Sequence, residues 1–521
     1  MEQPVSTRSV EGSSPSGRAR RCYVRSVNPD YSARMKSRLR DLLDNHDSLT
    51  PDYQARYERL LAHSEGLTAH SAYAMTMLLG RDSSRGYKEL PHNPTFDFPD
   101  AHIPDLEYQV GWHFFVGTAL GSDGRHYGIQ FMLWTYALLP APVRDALGLD
   151  PIANQVMEVH VAVSREGDRH YRGAPVVVVD DIEVEANPFR YRAGDNVAEA
   201  LQSDAFVPLR IRGTSVDGST APPIEVALDL TFVAAKPPFL QGDKGASPSV
   251  GGVGTLYYSI PRLTLATTGS SVRIGTETIA LTQGRFWFDH QWGTGFMPNG
   301  NPRQVDVRAM SDIRTPGPGG WDWFMMDFDD DLQLTLAAMH DNSHRKHFYD
   351  QTGGKPGTMT VSASGKWIDS GGSAHPVDGT MRVTDWVRAD RSPDPNLYPI
   401  THVWYPNHWI FDLKGDVPDV MRHIELSPIV DGGQAGYFAP GMQYSEGAVV
   451  VTGTNGAVGR GFAESVGYVT KYETTLSLAG ITEDSALTEQ LDAPIPLGLR
   501  MRAIGHLAHP SAIKALLSQL S

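Results

Sequence analysis

The chain has 521 residues, and its 45 Lys and Arg against 60 Asp and Glu give a formal net charge of −15 at pH 7. This acidic balance argues against nucleic-acid binding, because a negative surface repels phosphate backbones. The single cysteine, Cys22, excludes an internal disulfide framework and a thiolate metal cluster. The sequence has no apolar run long enough for a membrane span and no apolar segment behind its N-terminal arginines, so we expect a cytoplasmic location without a secretory signal.

The first part of the chain is predicted to be a flexible leader followed by a helical extension. Residues 1–28 are rich in Ser, Gly and Arg, a composition typical of disorder. Residues 29–90 contain two apolar stripes at helical spacing, one from Met35 to Leu43 and one from Tyr53 to Leu61. These stripes need a partner, and three are open: a barrel mouth, which we favour, a membrane surface contacted peripherally, or a second copy in a homodimer.

From residue 91 the pattern changes to short apolar segments separated by turns. His113–Leu120 and His126–Trp134 flank the polar turn 122–125, which predicts a hairpin. Further predicted strands are Val156–Val163, Pro175–Val179, Ile224–Val233, Thr255–Leu265, Trp321–Phe328, Leu332–His340, Gly357–Ser362, His408–Leu413 and Glu446–Gly453. This density of strands indicates antiparallel barrels or sandwiches. We predict two β domains, at 91–300 and 301–475, and a C-terminal helical tail at 476–521 with a short helix over Ser511–Leu520.

Several motifs that would carry other chemistry are incomplete. Gly252-Val253-Gly254 lacks the third glycine and the following helix of a dinucleotide-binding loop. Ala463–Gly467 mimics a nucleophile elbow, but its surroundings predict one strand after a turn. The acidic run Asp327–Asp331 lacks the closing Glu of a calcium loop. Three histidines have the spacing of zinc ligands on a helix but lie in a predicted polar loop: His340, His344 and His347. We therefore expect no metal centre.

Two segments combine aromatic rings with acids. In Arg285–Gly293, strand alternation sends Trp287, Asp289 and Gln291 to one side and His290 and Trp292 to the other. In Trp321–Asp327, one face carries Trp321, Trp323, Met325 and Asp327. Carboxyls against aromatic walls have raised pKa values, and indole faces stabilise cations. This combination suits acid catalysis on an apolar, electron-rich substrate. The alternative is a tryptophan-rich core whose Asp and His residues satisfy backbone groups.

A series of motifs between about residues 100 and 470 resembles the lipocalin-like hydroxyneurosporene synthase family, the carotenoid 1,2-hydratases. The motifs occur in the family's order: Lys236–Gly245, Tyr257–Leu263, Trp287–Gly293, Trp321–Phe324, Tyr405–Trp409, Ser445–Gly447 and Ala463–Tyr468. The resemblance implies a mainly β protein of two lipocalin-like antiparallel β-barrel domains with an apolar cavity in or between them. It also implies a reaction without a cofactor: in the hydratases, water adds across a terminal isoprenoid double bond, and other members are pericyclases of polyenes.

The resemblance places some family residues on this chain and leaves others out. The His-x-Trp of the family falls on His290 and Trp292. The Tyr-x-Asp pair of the hydratases aligns with Met339-His340-Asp341, where the tyrosine is missing. The early Glu-Trp-Trp-Tyr signature reads Gly111-Trp112-His113-Phe114, so the glutamate and the tyrosine hydroxyl are absent.

The leading hypothesis is a cofactor-independent lyase or isomerase, of hydratase or dehydratase type, acting on a large hydrophobic substrate such as a terpenoid or polyene. Asp289 or Asp322 would protonate an alkene or tertiary alcohol, with Asp327 and Asp341 as further candidates. His290 would pass a proton to or from water. The residues expected to bind the substrate and shield a carbocation are Trp292, Trp287, Trp323, Trp321, Tyr258, Tyr257 and Trp112.

Two other functions remain open from the sequence. A pericyclase would use a cavity to fold a polyene, with His290 as a hydrogen-bond donor to a substrate carbonyl. A non-catalytic carrier would hold one hydrophobic ligand in a barrel mouth. Because Tyr257 and Tyr258 alternate along one strand, at most one of them can reach a given cavity.

Overall fold

In the computed structural model, the chain forms two antiparallel β-structures, a large sheet followed by a barrel. The structure describes residues 22–24, 87–137, 141–146, 150–152, 154–173, 176–178, 181–218, 220–248, 254–294, 318–341, 354–389, 403–430, 435–438 and 442–469. The predicted helices of the extension and the tail 476–521 lie outside these residues. Within them, no helix is both long and apolar enough to cross a bilayer.

The first sheet contains sixteen strands. They are β1 Cys22–Val24, β2 Val110–Gly121, β3 His126–Ala137, β4 Gln155–Arg165, β5 His170–Arg172, β6 Val176–Val178, β7 Ile182–Ala186, β8 Phe189–Ala193, β9 Asn196–Ala200, β10 Leu209–Asp217, β11 Ile224–Ala235, β12 Phe239–Leu240, β13 Ala246–Pro248, β14 Gly254–Leu265, β15 Ser271–Ile274 and β16 Glu277–Thr294. The main path runs β1-β7-β8-β9-β10-β11-β14-β16-β2-β3-β4-β5. The sheet curls so that β10 and β11 contact β4 and β5. Its short helices are α1, Ala141–Ala146, and a 3-10 turn, Asp100–His102.

The second structure is a closed barrel. Its strands are β17 Pro318–Phe328, β18 Gln333–Asp341, β19 Met359–Ile368, β20 Ala374–Ala389, β21 Val403–Lys414, β22 His423–Pro428, β23 Ala435–Phe438, β24 Met442–Thr452 and β25 Val458–Val469. Neighbours in sequence pair from β17 to β22, β22 pairs with β24, and β25 closes the ring between β24 and β17. Eight strands thus form an antiparallel barrel of the lipocalin kind, with β23 added beside β24. Two further 3-10 turns are Asp419–Met421 and Thr454–Gly456.

The two structures enclose separate hydrophobic cores. In β16, Phe286, Phe288 and Trp292 point into the first core, and in β17, Phe324 and Met326 point into the second. Successive strand side chains alternate between faces, so one register fixes which residues are interior. The predicted mainly β fold with lipocalin-like domains is confirmed. Hydrogen bonding closes the second domain into a barrel, whereas the first is a curled sheet whose main path ends at β1 and β5.

The hairpin of β2 and β3 packs between the core of the first domain and the barrel. The predicted pairing is confirmed, with Leu120 opposite His126 and Trp112 opposite Trp134. Both strands are buried on both faces. Their inner faces line the first core, while their outer faces contact β25 and β24 of the barrel. Nearly continuous apolar runs are the sequence counterpart of such two-sided burial.

Two short segments have conformations that bear on the sequence predictions. Cys22–Val24, within the predicted flexible leader, pairs with Glu183–Glu185 of β7. An unpaired strand edge offers backbone donors and acceptors, and the β-forming Cys-Tyr-Val segment satisfies them. Ala463–Gly467 lies inside strand β25, as its sequence predicts, and therefore lacks the strand–turn–helix of a nucleophile elbow.

Candidate active site

Strand β16 divides the predicted site residues between the two faces of the sheet. His290 is opposite Tyr258 of β14 and His113 of β2, and these side chains point into the first domain. Asp289 is opposite Ser259 and Phe114 and points out of the sheet towards the barrel. The sheet therefore separates Asp289 from His290, which the leading hypothesis assigned to one site.

The inner face holds a buried histidine cluster. The His290 and His113 ring centroids are 3.9 Å apart, and His290 is stacked on Trp292 at 4.1 Å. His290 Nδ1 donates to the carbonyl of Ala101 at 3.0 Å, and His113 Nε2 donates to the carbonyl of His102 at 2.7 Å. Both histidines thus hold the 3-10 turn Asp100–His102 against the sheet.

Burial keeps these histidines neutral. It lowers the pKa of His102 to about 3 and that of His113 to about 4, and it lowers the pKa of His290 well below its usual range. Tyr258 lies in the same group, with its hydroxyl 2.6 Å from His102 Nδ1. The rings fill this part of the core, and their polar atoms are used to satisfy a buried turn. This arrangement is typical of a structural core.

The outer face carries Asp289 in a cage of donors. Its carboxylate accepts hydrogen bonds from Trp287 Nε1 at 2.6 Å, from the Ser259 hydroxyl at 2.5 Å and from the Tyr257 hydroxyl at 2.6 Å. Burial raises the pKa of Asp289 to about 7, even though the three donors act in the lowering direction. Tyr257 is half-buried, whereas Asp289 is buried.

The barrel presents an aromatic and acidic surface to this carboxyl. Trp323 of β17 makes edge contacts with Trp287 at 6.3 Å and with Phe114 at 5.8 Å. Glu464 of β25 lies directly opposite Trp323 in the ladder, so the two side chains share a face. We call this region the inter-domain face: the outer sides of β14, β16, β2 and β3 against those of β17, β24 and β25.

Glu464 has the properties of an acid–base group. Its Oε1 accepts a hydrogen bond from Trp321 Nε1 at 2.6 Å, and among the described residues its Oε2 accepts none. The side chain is half-buried, as is that of Trp321. Desolvation raises the pKa of Glu464 to about 7, and the negative charges of Asp289 and Asp322 add to the rise.

A second glutamate lies beside it. Glu446 of β24 is directly opposite Glu464, and burial together with the charge of Glu464 raises the pKa of Glu446 well above its usual range. Gln130 of β3 donates from Nε2 to Glu446 Oε2 at 2.6 Å across the inter-domain face. The face thus holds three buried or half-buried carboxyls, those of Asp289, Glu464 and Glu446.

The remaining predicted acids lie elsewhere. Asp322 points into the barrel, where it accepts hydrogen bonds from Ser465 at 2.5 Å and from Tyr468 at 2.9 Å, and burial raises its pKa to about 7. Asp327 reaches the first domain but is paired with Arg262, whose Nε is 2.8 Å from Oδ2. Asp341 is the last residue of β18.

The structure also places the other predicted aromatic and histidine residues. Trp112 lies on the outer side of β2, stacked on Trp134 at 4.5 Å. His340 Nε2 donates to the carbonyl of Val466 at 3.0 Å, while His344 and His347 lie outside the described residues. Where side chains are described, no group of three or more His, Cys, Asp or Glu has a metal-binding arrangement.

Glu464 and Glu446 lie in segments that carry the family resemblance, Ser445–Gly447 and Ala463–Tyr468, but from the sequence we expect them to make structural hydrogen bonds to buried backbone and not to belong to the site. Each is a single acid between apolar or small residues in a strand, in FAESV and YSEGA. Such an acid on a strand that is otherwise apolar is a signal of a buried carboxyl. Their opposition in the β24–β25 ladder was not accessible from the motifs alone.

The profile of the AttH-like family matches residues 89–468, which include both domains and the whole inter-domain face. The chain belongs to the AttH-like family. Among solved structures, a candidate AttH protein from Nitrosomonas europaea covers 73% of this chain and 100% of its own, at 18% identity and a TM-score of 0.52. At this identity, the likeness of the two AttH-like proteins is one of fold.

Two further structures have lower scores. Kievitone hydratase from Nectria haematococca matches 75% of this chain and 98% of its own, at 13% identity and a TM-score of 0.47. The protein CghA matches 73% of this chain and 94% of its own, at 11% identity and a TM-score of 0.33. No curated protein sequence matches the chain significantly.

Proposed function

We propose that this AttH-like protein is a cofactor-independent hydro-lyase or isomerase. It acts by acid catalysis on a large hydrophobic, terpenoid- or polyene-like substrate held at the inter-domain face. The observation that carries the proposal is Glu464: a carboxyl with a raised pKa, one oxygen held by Trp321 and the other free of described partners, on an aromatic surface. A group titrating near neutrality transfers protons most effectively near the pH of the cell.

The reaction consists of one proton transfer to carbon and one at oxygen. In hydration, the Glu464 proton adds to the terminal alkene carbon, the π electrons form the new C–H bond, and a tertiary carbocation remains. Water then forms the C–O bond and gives its extra proton to a carboxylate of the same face. Dehydration follows these steps in reverse, and an isomerisation ends with loss of a proton from a different carbon.

The walls of the face suit the cationic intermediate. Trp321 and Trp323 are next to Glu464, and Phe114 contacts Trp323 from the other domain. Indole faces attract a cation by their quadrupole, with an energy of about 2 kcal/mol when desolvated. The same rings exclude water, which favours proton transfer from an acid over ionisation to solvent.

Asp289, with its partner Tyr257, is a neighbour that raises the proton affinity of Glu464. Asp289 holds the Tyr257 hydroxyl in place at 2.6 Å. Because Asp289 and Glu464 raise each other's cost of ionisation, loss of a proton from one favours its retention by the other. Glu464 therefore keeps its proton at the pH at which Asp289 is ionised.

The test begins with native extraction of the purified protein and mass spectrometry of any apolar compound that co-purifies. The compound is then incubated with wild type and with Glu464→Gln, which keeps an acceptor for Trp321. We expect conversion by wild type and a loss of about 100-fold or more in the variant, the usual contribution of a general acid. Conversion at the wild-type rate by Glu464→Gln would indicate a pericyclase, and a ligand released unchanged by wild type would indicate a carrier.

A further inference from the structure

Gln130 and Glu446 form a polar pair between the two domains. Gln130 lies on the outer side of β3, Glu446 lies on β24, and each side chain is 1% exposed. Their single mutual hydrogen bond, from Nε2 to Oε2, is 2.6 Å long. Among the described residues, Oε1 of Gln130 and Oε1 of Glu446 have no hydrogen-bond partner. A buried polar atom without a partner is costly because its hydration is lost and not replaced, so two such atoms in one contact point to a ligand.

The pair is continuous with the proposed catalytic surface. Glu446 is directly opposite Glu464 in the ladder, and side chains in that relation have Cβ atoms roughly 4.5–5.5 Å apart. On its other side, Gln130 Nε2 is 3.4 Å from the Tyr444 hydroxyl, and Tyr444 is held by His160 Nδ1 at 2.9 Å. A small polar group bound between Gln130 and Glu446 therefore lies close to the apolar chain of a substrate that contacts Glu464.

The two oxygens define the hydrogen bonds of that group. Gln130 Oε1 is an acceptor only. Burial and the charge of Glu464 raise the pKa of Glu446 well above its usual range, against the charge of Arg172, and because Oε2 accepts from Gln130, a proton on Glu446 belongs on Oε1. The pair therefore calls for a group with one donor and one acceptor. A hydroxyl group or a water molecule meets both requirements.

We propose that Gln130 and Glu446 bind the reacting oxygen, as the water to be added or the substrate hydroxyl to be removed. This inference rests on the proposed function and names Glu446 as the residue that transfers the proton at oxygen. In dehydration, the Glu446 proton moves from Oε1 to the substrate hydroxyl, the C–O bond breaks with its electron pair going to oxygen, and water leaves. Glu464 takes the proton from the neighbouring carbon, and one proton returns from Glu464 to Glu446. Gln130 is a positioning residue, since it orients the oxygen without taking its proton.

The first test is a high-resolution crystal structure, which does not depend on activity. We expect an ordered water that contacts Gln130 Oε1 and Glu446 Oε1 in wild type. The water should persist in Glu446→Gln, whose amide replaces the O–H donor, and disappear in Gln130→Met and Glu446→Leu. Direct pairing of the two Oε1 atoms, or a dry contact in wild type, would overturn the inference whatever the activity.

The second test measures exchange of the substrate hydroxyl with H2 18O, using the compound identified by native extraction. Glu446→Gln should lose exchange by about 100-fold or more, because an amide cannot transfer the proton. Gln130→Met should lose about 10-fold in kcat with a smaller change in KM, because orientation is lost. The control is Gln155→Met, the same change at a buried glutamine of β4 whose hydrogen bonds lie within the first domain. It should affect stability and leave exchange intact.

The outcomes separate this inference from the proposed function. Absence of conversion by wild type would end the proposed function, while the crystallographic water would still decide whether the oxygen site exists. Wild-type exchange in folded Glu446→Gln and Gln130→Met would overturn the oxygen site and leave catalysis by Glu464 standing.

Discussion

The carboxyl of Glu464 is partly exposed, one of its oxygens accepts a hydrogen bond from Trp321, and its pKa is raised to about 7. Partial exposure admits a substrate, and the hydrogen bond from Trp321 sets the direction of the second oxygen. The raised pKa follows from desolvation and from neighbouring acids. By contrast, Asp289 is buried and accepts hydrogen bonds from three donors, one of them the Tyr257 hydroxyl.

The pH dependence of the rate should report Glu464. Hydration needs its protonated form, so the rate of hydration falls as pH rises through about 7. Dehydration needs the carboxylate, so its rate rises through the same range. The measurement is kcat from pH 5 to 9 in each direction for wild type and Glu464→Gln. A wild-type profile without a limb near neutrality would contradict the assignment.

Asp322 should make the stability of the barrel depend on pH. Its pKa is raised to about 7 in the folded protein, whereas an unfolded aspartate titrates at about 3.9. Between these values the folded state binds more protons, so the free energy of unfolding decreases as pH rises from about 4 to 7. Asp322→Asn cannot ionise, so its melting temperature should rise relative to wild type across this window.

The check is thermal unfolding at pH 4, 5.5, 7 and 8, with the same change at exposed Asp330 as the control. The difference between Asp322→Asn and wild type should grow by several degrees from the lowest to the highest pH. A difference that stays constant would mean that Asp322 has no raised pKa in the folded barrel.

At the scale of the strand, close packing between β3 and β24 fixes the distance between the domains. A Cβ atom at Gly128 would lie 2.3 Å from the Cβ of Ala448. Gly128→Val should therefore push the hairpin away from the barrel and lower the free energy of unfolding by about 1–3 kcal/mol. The conversion rate at equal folded fraction should also fall, because the spacing across the inter-domain face changes. Gly354→Val is the matched control, because no atom lies within 4 Å of a Cβ there. Equal urea midpoints and equal rates for both variants would contradict the contact.

Strand patterns explain how far the fold was predictable. The β2–β3 hairpin was predicted because two apolar runs flank a polar turn. Strands β7 to β9 were missed because Glu and Arg occupy alternate positions in IEVEA and FRYRA. These charges pair across the strands, as Arg192 Nε does with Glu183 at 2.7 Å, so a charged segment forms a stable meander.

The site was predictable only in part. Alternation along β16 correctly separated Asp289 from His290, and the aromatic strand Trp321–Asp327 supplies two walls of the inter-domain face. Which face meets a partner depends on packing between residues distant in sequence, such as Trp323 with Phe114. The role proposed for Glu464 depends on its hydrogen bond from Trp321, 143 positions earlier in the chain, and a motif search has no access to that pairing.

At the scale of the whole molecule, an ionic clasp holds the sheet on the barrel. Arg262 of β14 pairs with Asp327 and Asp331, and Lys366 of the barrel donates to the carbonyl of Leu240 at 2.5 Å. The Arg262–Asp327 pair joins β14 and β17, two of the strands that form the inter-domain face. Its integrity should therefore control both stability and the geometry of the site.

Removing one partner of the clasp should be costly. Arg262→Met leaves buried Asp327 with only the more distant Arg285 at 3.6 Å and a hydrogen bond from Gln333, and we expect a loss of about 3 kcal/mol in the free energy of unfolding. The double variant Arg262→Met/Asp327→Leu should recover most of this loss, because no unpaired charge remains. Urea unfolding of both single variants and the double variant measures the coupling. If the losses in the free energy of unfolding of the two single variants simply add in the double variant, a direct interaction between Arg262 and Asp327 is contradicted.

We propose that the acid-catalysed reaction takes place at the inter-domain face and not inside the curled sheet. Adjacent residues of β16 provide the most direct test, since Asp289 faces the barrel and His290 faces the first core. The measurement is the conversion rate of the co-purifying compound by Asp289→Asn and His290→Gln at equal folded fraction. We expect the conversion rate to fall by about 10-fold or more in Asp289→Asn and to stay nearly at the wild-type value in His290→Gln. Loss of conversion in His290→Gln with retention in Asp289→Asn would contradict it and place the reaction inside the first domain.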